Sequence, residues 1–215
     1  MRRGKIIFGT RREGDTAGGQ QQKLDPFYKV FFILCCLFII GIALGAILVS
    51  LKDYTLIKYL SILTKSGLEA RVTGKLFATF ISCIIPHLIL ILLCYLFANC
   101  TFGTPLILAL IIFKGASAGL TGGYIHLASG AKGILYNFIF TMIPTLLSAI
   151  GFLWLAVYSM KASITLHSVA IKGSGRKIKD INAQVYHMLA TAAMLSGASA
   201  IVEAILFKLF GGFFI

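Results

Sequence analysis

The apolar stretch VFFILCCLFIIGIALGAILVSL, residues 30–51, decides the class of fold. It contains no charged residue and lies between Lys29 and Lys52. As a helix with a rise of about 1.5 Å per residue it would be about 33 Å long, which is enough to cross a hydrocarbon core about 30 Å thick. The stretch therefore predicts a transmembrane helix.

The composition of the whole chain indicates that lipid is its solvent. Of the 215 residues, 58% are hydrophobic and 13% are charged, and the mean hydropathy is +0.92. A soluble domain contains about 25% charged residues, so this chain lacks the polar side chains that a water-facing surface needs. The 20 Lys and Arg exceed the 7 Asp and Glu, but they lie in tails and loops between apolar runs. We therefore expect membrane lipids, through their anionic headgroups, and no nucleic acid as partners.

Further apolar runs follow, separated by turns and basic loops. The uncharged run from Leu76 to Phe113 is too long for one crossing, and the turn at residues 99–105 divides it. We predict an all-α membrane protein, with one membrane domain over residues 27–215 that forms a bundle of five transmembrane helices. The predicted spans cover, to within a few residues, 30–51, 76–98, 105–129, 134–160 and 187–207.

Two polar segments precede and follow the first span. Residues 1–26 are basic and rich in glycine and glutamine without a helical or strand period, so we predict a disordered N-terminal tail. Residues 52–75 mix lysines with leucine and isoleucine, which suits a helix lying in the membrane interface. More Lys and Arg lie in the tail and in residues 161–186 than on the other side. The positive-inside rule therefore predicts a cytoplasmic N-terminus and an outside C-terminus.

Small residues predict close contact between helices at two places. Gly41 and Gly45 form a small-xxx-small pair in the first span. In the third span, Gly115, Gly119 and Gly123 recur every four residues and therefore lie on one face of the helix. Each set forms a smooth surface against which another helix can pack.

Two charged residues lie inside predicted spans, where each costs at least about 2.5–3.5 kcal/mol at the bilayer centre. Lys114 is in the third span and Glu203 is in the fifth. One hypothesis is an ion pair that ties these spans together, across a depth difference of about 9 Å. In a second, Glu203 reaches the outer interface while Lys114 bonds to backbone carbonyls. In a third, both line the ion pathway of a small transporter or channel, with Pro86 and Pro144 breaking their helices.

An enzymatic function is not favoured. The segment from Gly115 to Gly119 matches the Gly-x-Ser-x-Gly nucleophile motif around Ser117, but that motif needs a strand–turn–helix context and this segment continues a helix. A less favoured alternative is an intramembrane serine protease of rhomboid type with His187 as the partner. That family has glycine after the serine, where this chain has Ala118. The four histidines and five cysteines show no metal-ligand spacing, so no metal, cofactor or disulfide is predicted.

Three short stretches carry a resemblance to a known family. They are Phe113-Lys114-Gly115 with Gly119 and Gly122-Gly123 behind it, Phe140-Thr141-Met142-Ile143-Pro144, and Ala200-Ile201-Val202-Glu203-Ala204. In these stretches the sequence resembles the stage II sporulation protein M family. Its length, its five spans and its basic tail also agree with that family. One position departs from the family pattern. Many relatives carry histidine directly after the proline of the fourth span, where this chain has Thr145, so any role of that histidine does not carry over.

The resemblance implies a bacterial multi-pass membrane protein of endospore formation that is not an enzyme. In this family the protein acts as a membrane anchor, or scaffold, for two cell-wall hydrolases, stage II sporulation proteins D and P. It would localise these peptidoglycan-degrading partners at the sporulation septum during engulfment. Which span contacts which partner, and whether the chain forms a homo-oligomer, stay open. The candidate structural or partner-interface residues are Lys114, Gly115, Gly119, Gly123, Pro144 and Glu203.

Overall fold

The computed structural model describes residues 26–51, 58, 76–172 and 178–210. Over these ranges the chain forms helices and no strand. The helices are α1 (Pro26–Ser50), α2 (Leu76–Ala98), α3 (Gly103–Tyr136), a π-helix (Asn137–Met142), α4 (Ile143–Lys172) and α5 (Ile178–Phe210). The predicted disordered tail and the predicted interfacial helix lie outside the described residues, apart from Pro26 and Lys58.

Within the described ranges, five helical segments are long and apolar enough to cross a membrane. In hydrocarbon, each backbone N–H and C=O must find a partner within the protein, and a helix provides these partners within a single segment. The predicted class, an all-α membrane bundle, is therefore confirmed. The candidate spans are Phe27–Ser50, Leu76–Ala98, Gly103–Leu127, Asn137–Val169 and Ala183–Leu206.

The five helices share one core and direct large apolar side chains outward. The core contains residues from every helix, and Phe152 at its centre is 1% exposed. On the outside, Phe32, Phe77 and Met194 are 69%, 72% and 77% exposed. Apolar exposure on this scale marks a membrane-contacting surface, where these side chains meet lipid chains instead of water.

The helices alternate in direction through the bundle, and we call the side at which α1 begins the proximal side and the side at which it ends the distal side. α1 packs mainly along α3, whereas α5 packs on α4 and α2. α2 and α5 run antiparallel: the hydroxyl groups of Tyr95 and Tyr186 are 2.7 Å apart, and Ile84 lies opposite Gly197 further along. α4 contacts each of the four remaining helices, so it occupies the middle of the bundle.

Ser163 of α4 closes the turn between α2 and α3. Its hydroxyl donates to the carbonyl oxygen of Cys100 (2.9 Å) and accepts from the backbone N–H of Thr104 (3.1 Å). Thr104 lies in the first turn of α3, where backbone N–H groups have no acceptor within the helix. α4 therefore caps α3 from outside. The turn predicted at residues 99–105 is present, and α3 begins within it at Gly103.

The turn between the third and fourth spans begins at a break in α3. Gly130 has φ 57° and ψ −135°, in the left-handed half of conformational space that glycine occupies without steric penalty. The break lies in the short interval between the predicted third and fourth spans, 105–129 and 134–160. The chain leaves the candidate span at Leu127 and enters the next at Asn137, so the reversal takes place between these residues.

The last two helices extend beyond the predicted spans on the proximal side. The fourth span was predicted to end at residue 160 because Lys161 is charged, but α4 continues to Lys172. α5 begins at Ile178, well before His187, where we placed the start of the fifth span. A charge marks the end of an apolar segment and not of a helix, because helical backbone hydrogen bonds persist outside the bilayer.

Candidate functional site

Glycines bring α1 and α3 into backbone contact. Gly41 and Gly115 face each other, and Gly119 lies against the backbone of Ile42. A methyl group placed on Gly41 would lie 2.5 Å from a carbonyl oxygen of α3, and one placed on Gly119 would overlap the carbonyl oxygen of Ile42. No side chain fits between the helices here. The glycine seam, defined as Gly115, Gly119 and Gly123, thus packs on α1 of the same chain.

The seam widens toward the distal side. A methyl group placed on Gly123 would lie 3.4 Å from Cβ of Val49, which is an ordinary van der Waals distance. Beside this wider end, a groove of about 200 Å³ lies between α1, α3, the π-helix and the start of α4. Much of its wall consists of small residues, among them Ala46, Ala118 and Gly122.

Three polar side chains line this groove, and we call it the polar groove after them. They are Asn137, Thr141 and Thr145. Oδ1 of Asn137 is buried and has no hydrogen-bond partner among the described residues. Thr141 and Thr145 add two hydroxyl groups to the wall of the groove. Since lipid chains offer no hydrogen-bonding groups, such side chains are typical of surfaces where membrane helices associate.

Lys114 lies inside the bundle and is only 4% exposed. Its Nζ is 3.4 Å from Oγ of Ser148 on α4 and 3.5 Å from Nδ1 of His87 on α2. The same atom lies 5.3 Å from the centre of the Phe152 ring, a distance at which an aromatic face attracts a cation. Side chains from α2 and α4 therefore meet at the ammonium group that α3 supplies.

The structure does not bring Lys114 to Glu203. The hydroxyl of Ser199 donates to the carbonyl oxygen of Pro144 (2.6 Å), which sets the register of α5 against α4. Glu203 lies one turn beyond Ser199 toward the distal side. Ser148, which contacts Lys114, lies one turn beyond Pro144 toward the proximal side. The two levels differ by about 12 Å along the bundle, and among the described residues the contacts of Lys114 do not include Glu203.

Pro144 accounts for the π-helix that precedes it. Proline has no N–H and cannot donate to the carbonyl four residues earlier, so the regular helical ladder is interrupted. The chain takes the wider π-helical turn over Asn137–Met142, a form that is frequent at functional sites. The side chain of Pro144 is fully buried. The widened turn also places Asn137 and Thr141 on the polar groove.

The residues of the serine protease alternative lie apart. The hydroxyl of Ser117 donates to the carbonyl oxygen of Lys114 (2.9 Å) near the middle of α3. His187 is exposed near the proximal end of α5, next to Tyr186. The part of the chain that the structure describes holds no group of three or more His, Cys, Asp or Glu that could bind a metal ion. All five cysteines are free thiols.

Sequence reasoning identified Lys114 but not its neighbours. His87, Ser148 and Phe152 come from two other helices, and no motif links them to Lys114. A signal existed for His87, because ionisable side chains within a span generally face the interior of the bundle. No comparable signal marked Asn137, which belongs to the polar groove only through the π-helical turn.

These features define an integral membrane protein of the multi-pass α-helical class, in which glycine packing joins two helices and a lysine is buried among the others. The chain belongs to the stage II sporulation protein M family, whose model matches residues 34–206. The match covers most of the chain and confirms the resemblance seen in the sequence. Searches of the curated proteins and of the solved structures find no match. The chain is thus a sporulation-related membrane protein, and the family is not known as an enzyme family.

Proposed function

We propose that the chain is the non-enzymatic membrane anchor of the sporulation engulfment complex, where it holds peptidoglycan-degrading partners at the septum. Membership of the stage II sporulation protein M family and the five candidate spans support this role. The partners expected from the resemblance are stage II sporulation proteins D and P. As membrane-anchored hydrolases, they would reach this chain through apolar anchor helices.

The polar groove is the observation that carries this proposal. The glycine seam is occupied by α1, so it is not available to a partner helix. The groove combines small residues with Thr141, Thr145 and Asn137, and the buried Oδ1 of Asn137 has no hydrogen-bond partner within the described residues. Small residues that permit close approach, together with polar side chains that bond across helices, are the features on which transmembrane association depends. An anchor helix with a hydroxyl or amide side chain would satisfy these groups.

Replacing both groove threonines by valine is expected to reduce partner recovery. Thr141→Val and Thr145→Val keep the side-chain shape and remove only the hydroxyl groups. At about 0.6 kcal/mol for each hydrogen bond between membrane helices, the double variant should recover about five- to tenfold less of the partner hydrolases. The measurement is a pull-down of the tagged chain in mild detergent from sporulating cells, with quantitative mass spectrometry.

Thr165→Val is the matched control for this experiment. Thr165 also lies on α4, and its hydroxyl donates to the carbonyl oxygen of Lys161 in its own helix (2.8 Å). This variant should recover the hydrolases at the wild-type level. Equal recovery by wild type and by the double groove variant would contradict the assignment of the groove to a partner anchor.

We further propose that the proximal side of the bundle is cytoplasmic. The excess of Lys and Arg in the N-terminal tail and in residues 161–186 supports this orientation. The chain carries a native probe, because Cys100 is exposed in the proximal turn between α2 and α3. In intact cells, a membrane-impermeant maleimide should leave Cys100 unlabelled, and it should label this thiol after the membrane is opened.

Ser50→Cys in a Cys100→Ser background provides the control for orientation. Ser50 is exposed at the distal end of α1, opposite the Cys100 turn. A cysteine at this position should react with the maleimide in intact cells. Labelling of Cys100 but not of the introduced cysteine in intact cells would show the inverse orientation.

A further inference from the structure

The polar contacts of the Lys114 ammonium group lie at long distances. Its polar contacts are Ser148 Oγ at 3.4 Å and His87 Nδ1 at 3.5 Å. Hydrogen bonds from an ammonium group to an ionised acceptor are typically about 2.7–2.9 Å long. None of the contacts of Lys114 within the described residues is a carboxylate. The protein therefore holds this cation loosely and does not neutralise it there.

The depth of Lys114 makes an opposite charge favourable. Lys114 lies near the middle of the candidate span Gly103–Leu127, about 16 Å from its proximal end. A unit charge in surroundings of low polarity is strongly destabilised unless an ion of opposite sign lies close to it. Lys114 is only 4% exposed, so its charge is almost completely shielded from water.

A second buried donor lies at the same level of the bundle. Ser196 on α5 is 1% exposed, and its hydroxyl has no hydrogen-bond partner among the described residues. The residues on either side of it set its direction: Leu195 packs on Gly151 of α4, and Gly197 faces Ile84 of α2. Ser196 therefore lies in the angle between α2 and α4, the two helices that supply the contacts of Lys114.

The polar groove leads toward this place. Ala118, one turn along α3 from Lys114, lines the groove, and so does Thr145. The hydroxyl of Ser148 donates to the carbonyl oxygen of Thr145 (3.0 Å), so the residue that contacts Lys114 adjoins the groove wall. Along α3 the groove ends at Ala118, about one helical turn from Lys114. Along α4 it ends at Thr145, about one turn from Ser148, which contacts the ammonium group.

We propose that Lys114 and Ser196 bind a small monovalent inorganic anion of the chloride class, which reaches them along the polar groove. The ammonium group supplies the single positive charge and N–H donors, and the serine hydroxyl supplies an O–H donor. A monovalent ion leaves the site neutral, whereas a divalent anion would leave an uncompensated negative charge inside the membrane. The site does not depend on the anchor function, and its test requires no partner protein.

The test is thermal unfolding of the purified full chain in mild detergent, with sodium chloride replacing sodium gluconate at constant ionic strength. A ligand that binds only the folded state stabilises it by mass action. At chloride about five times the dissociation constant, the wild-type Tm should be about 2–4 °C higher than in gluconate, and it should keep rising with the logarithm of the chloride concentration. Bromide should act like chloride, and sulfate should have no effect.

Three variants assign the effect to the site. Lys114→Gln should abolish the chloride-dependent rise, whereas Lys161→Gln should retain it, because Lys161 lies at the proximal membrane edge over the rings of Phe27 and Tyr158. Ser196→Ala should have an unchanged or higher Tm in gluconate, because it removes a buried hydroxyl that has no protein partner. In chloride it should lose part of the rise.

A direct measurement on the unmodified chain covers the case in which Lys114→Gln does not fold. The chloride-35 NMR line should broaden in the presence of the wild-type protein and narrow again when bromide is added. Equal Tm values in chloride and gluconate, or a full chloride response in Lys114→Gln, would overturn the proposal.

Discussion

Replacing Gly119 by alanine is expected to lower the free energy of unfolding by about 1–3 kcal/mol. The added methyl group would overlap the carbonyl oxygen of Ile42, and a backbone group cannot move aside as a flexible side chain can. This overpacking should outweigh the gain of about 0.5–1 kcal/mol that alanine provides over glycine inside a helix. Gly119→Leu should separate α1 from α3 altogether. The measurement is thermal unfolding in mild detergent, together with the rate of proteolysis.

Gly123→Ala is the matched control, because it makes the same chemical change where the seam is wider. A methyl group at this position meets Val49 at an ordinary contact distance of 3.4 Å. The stability should stay unchanged or rise by up to about 1 kcal/mol through helix propensity. If the two alanine variants lost the same stability, the contact between Gly119 and Ile42 would not be the tight point of the bundle.

Phe152→Ala should have the largest effect on stability, a loss of about 3–5 kcal/mol. Phe152 is 1% exposed in the middle of α4, and α4 contacts every other helix. Its truncation would leave a cavity at the centre of the core. It would also remove the aromatic face that lies 5.3 Å from the ammonium group of Lys114. Unfolding titrated with a denaturing detergent should show the transition at a much lower detergent fraction than in wild type.

Trp154→Ala on the same helix is the matched control. It also removes a large aromatic ring, but from outside the core, so it shows how much of the loss of stability depends on core packing. Trp154 is 41% exposed and points outward from the bundle. Outside the core, substitutions usually change stability by no more than about 0.5 kcal/mol. If Trp154→Ala and Phe152→Ala lost the same stability, α4 would present a different face to the core.

The membrane class and the helix-packing surfaces were predictable, because they depend on local patterns. An uncharged stretch of about 20 residues predicts a span whatever its neighbours are. The glycines at positions 41, 45, 115 and 119 likewise predict smooth helix faces. The sequence pattern does not show which of these faces pack against each other. Two faces meet only when their glycines lie at matching depths, as Gly41 and Gly115 do.

Contacts of single charged residues were harder to predict, because they depend on helix register. Opposite charges in two spans suggested an ion pair between Lys114 and Glu203. The bond from Ser199 to Pro144 sets α5 so that Glu203 lies about two turns distal to the level of Lys114. That register follows from the packing of α4 and α5 and is not visible in either segment alone.

The polar groove depends on a local departure from regular helix geometry. In a regular α-helix, Asn137 and Thr141 would still recur every four residues, but their direction relative to α3 would differ by part of a turn. In the sequence, Pro144 predicts that the helix is interrupted. It does not specify that the interruption takes the form of a π-helix, since a kink or a 3₁₀ turn also accommodates proline.

The pairing of α1 with α3 has a consequence for membrane insertion. α1 is synthesised first, but the helix that covers Gly41 and Gly45 follows only after α2 and both intervening connections. At about 5–20 residues per second, the ribosome needs several seconds to reach α3. During that interval the glycine face of α1 is open to lipid or to whatever assists insertion. A chain truncated before α3 would keep that face open permanently and would present an unpaired helix to membrane quality control.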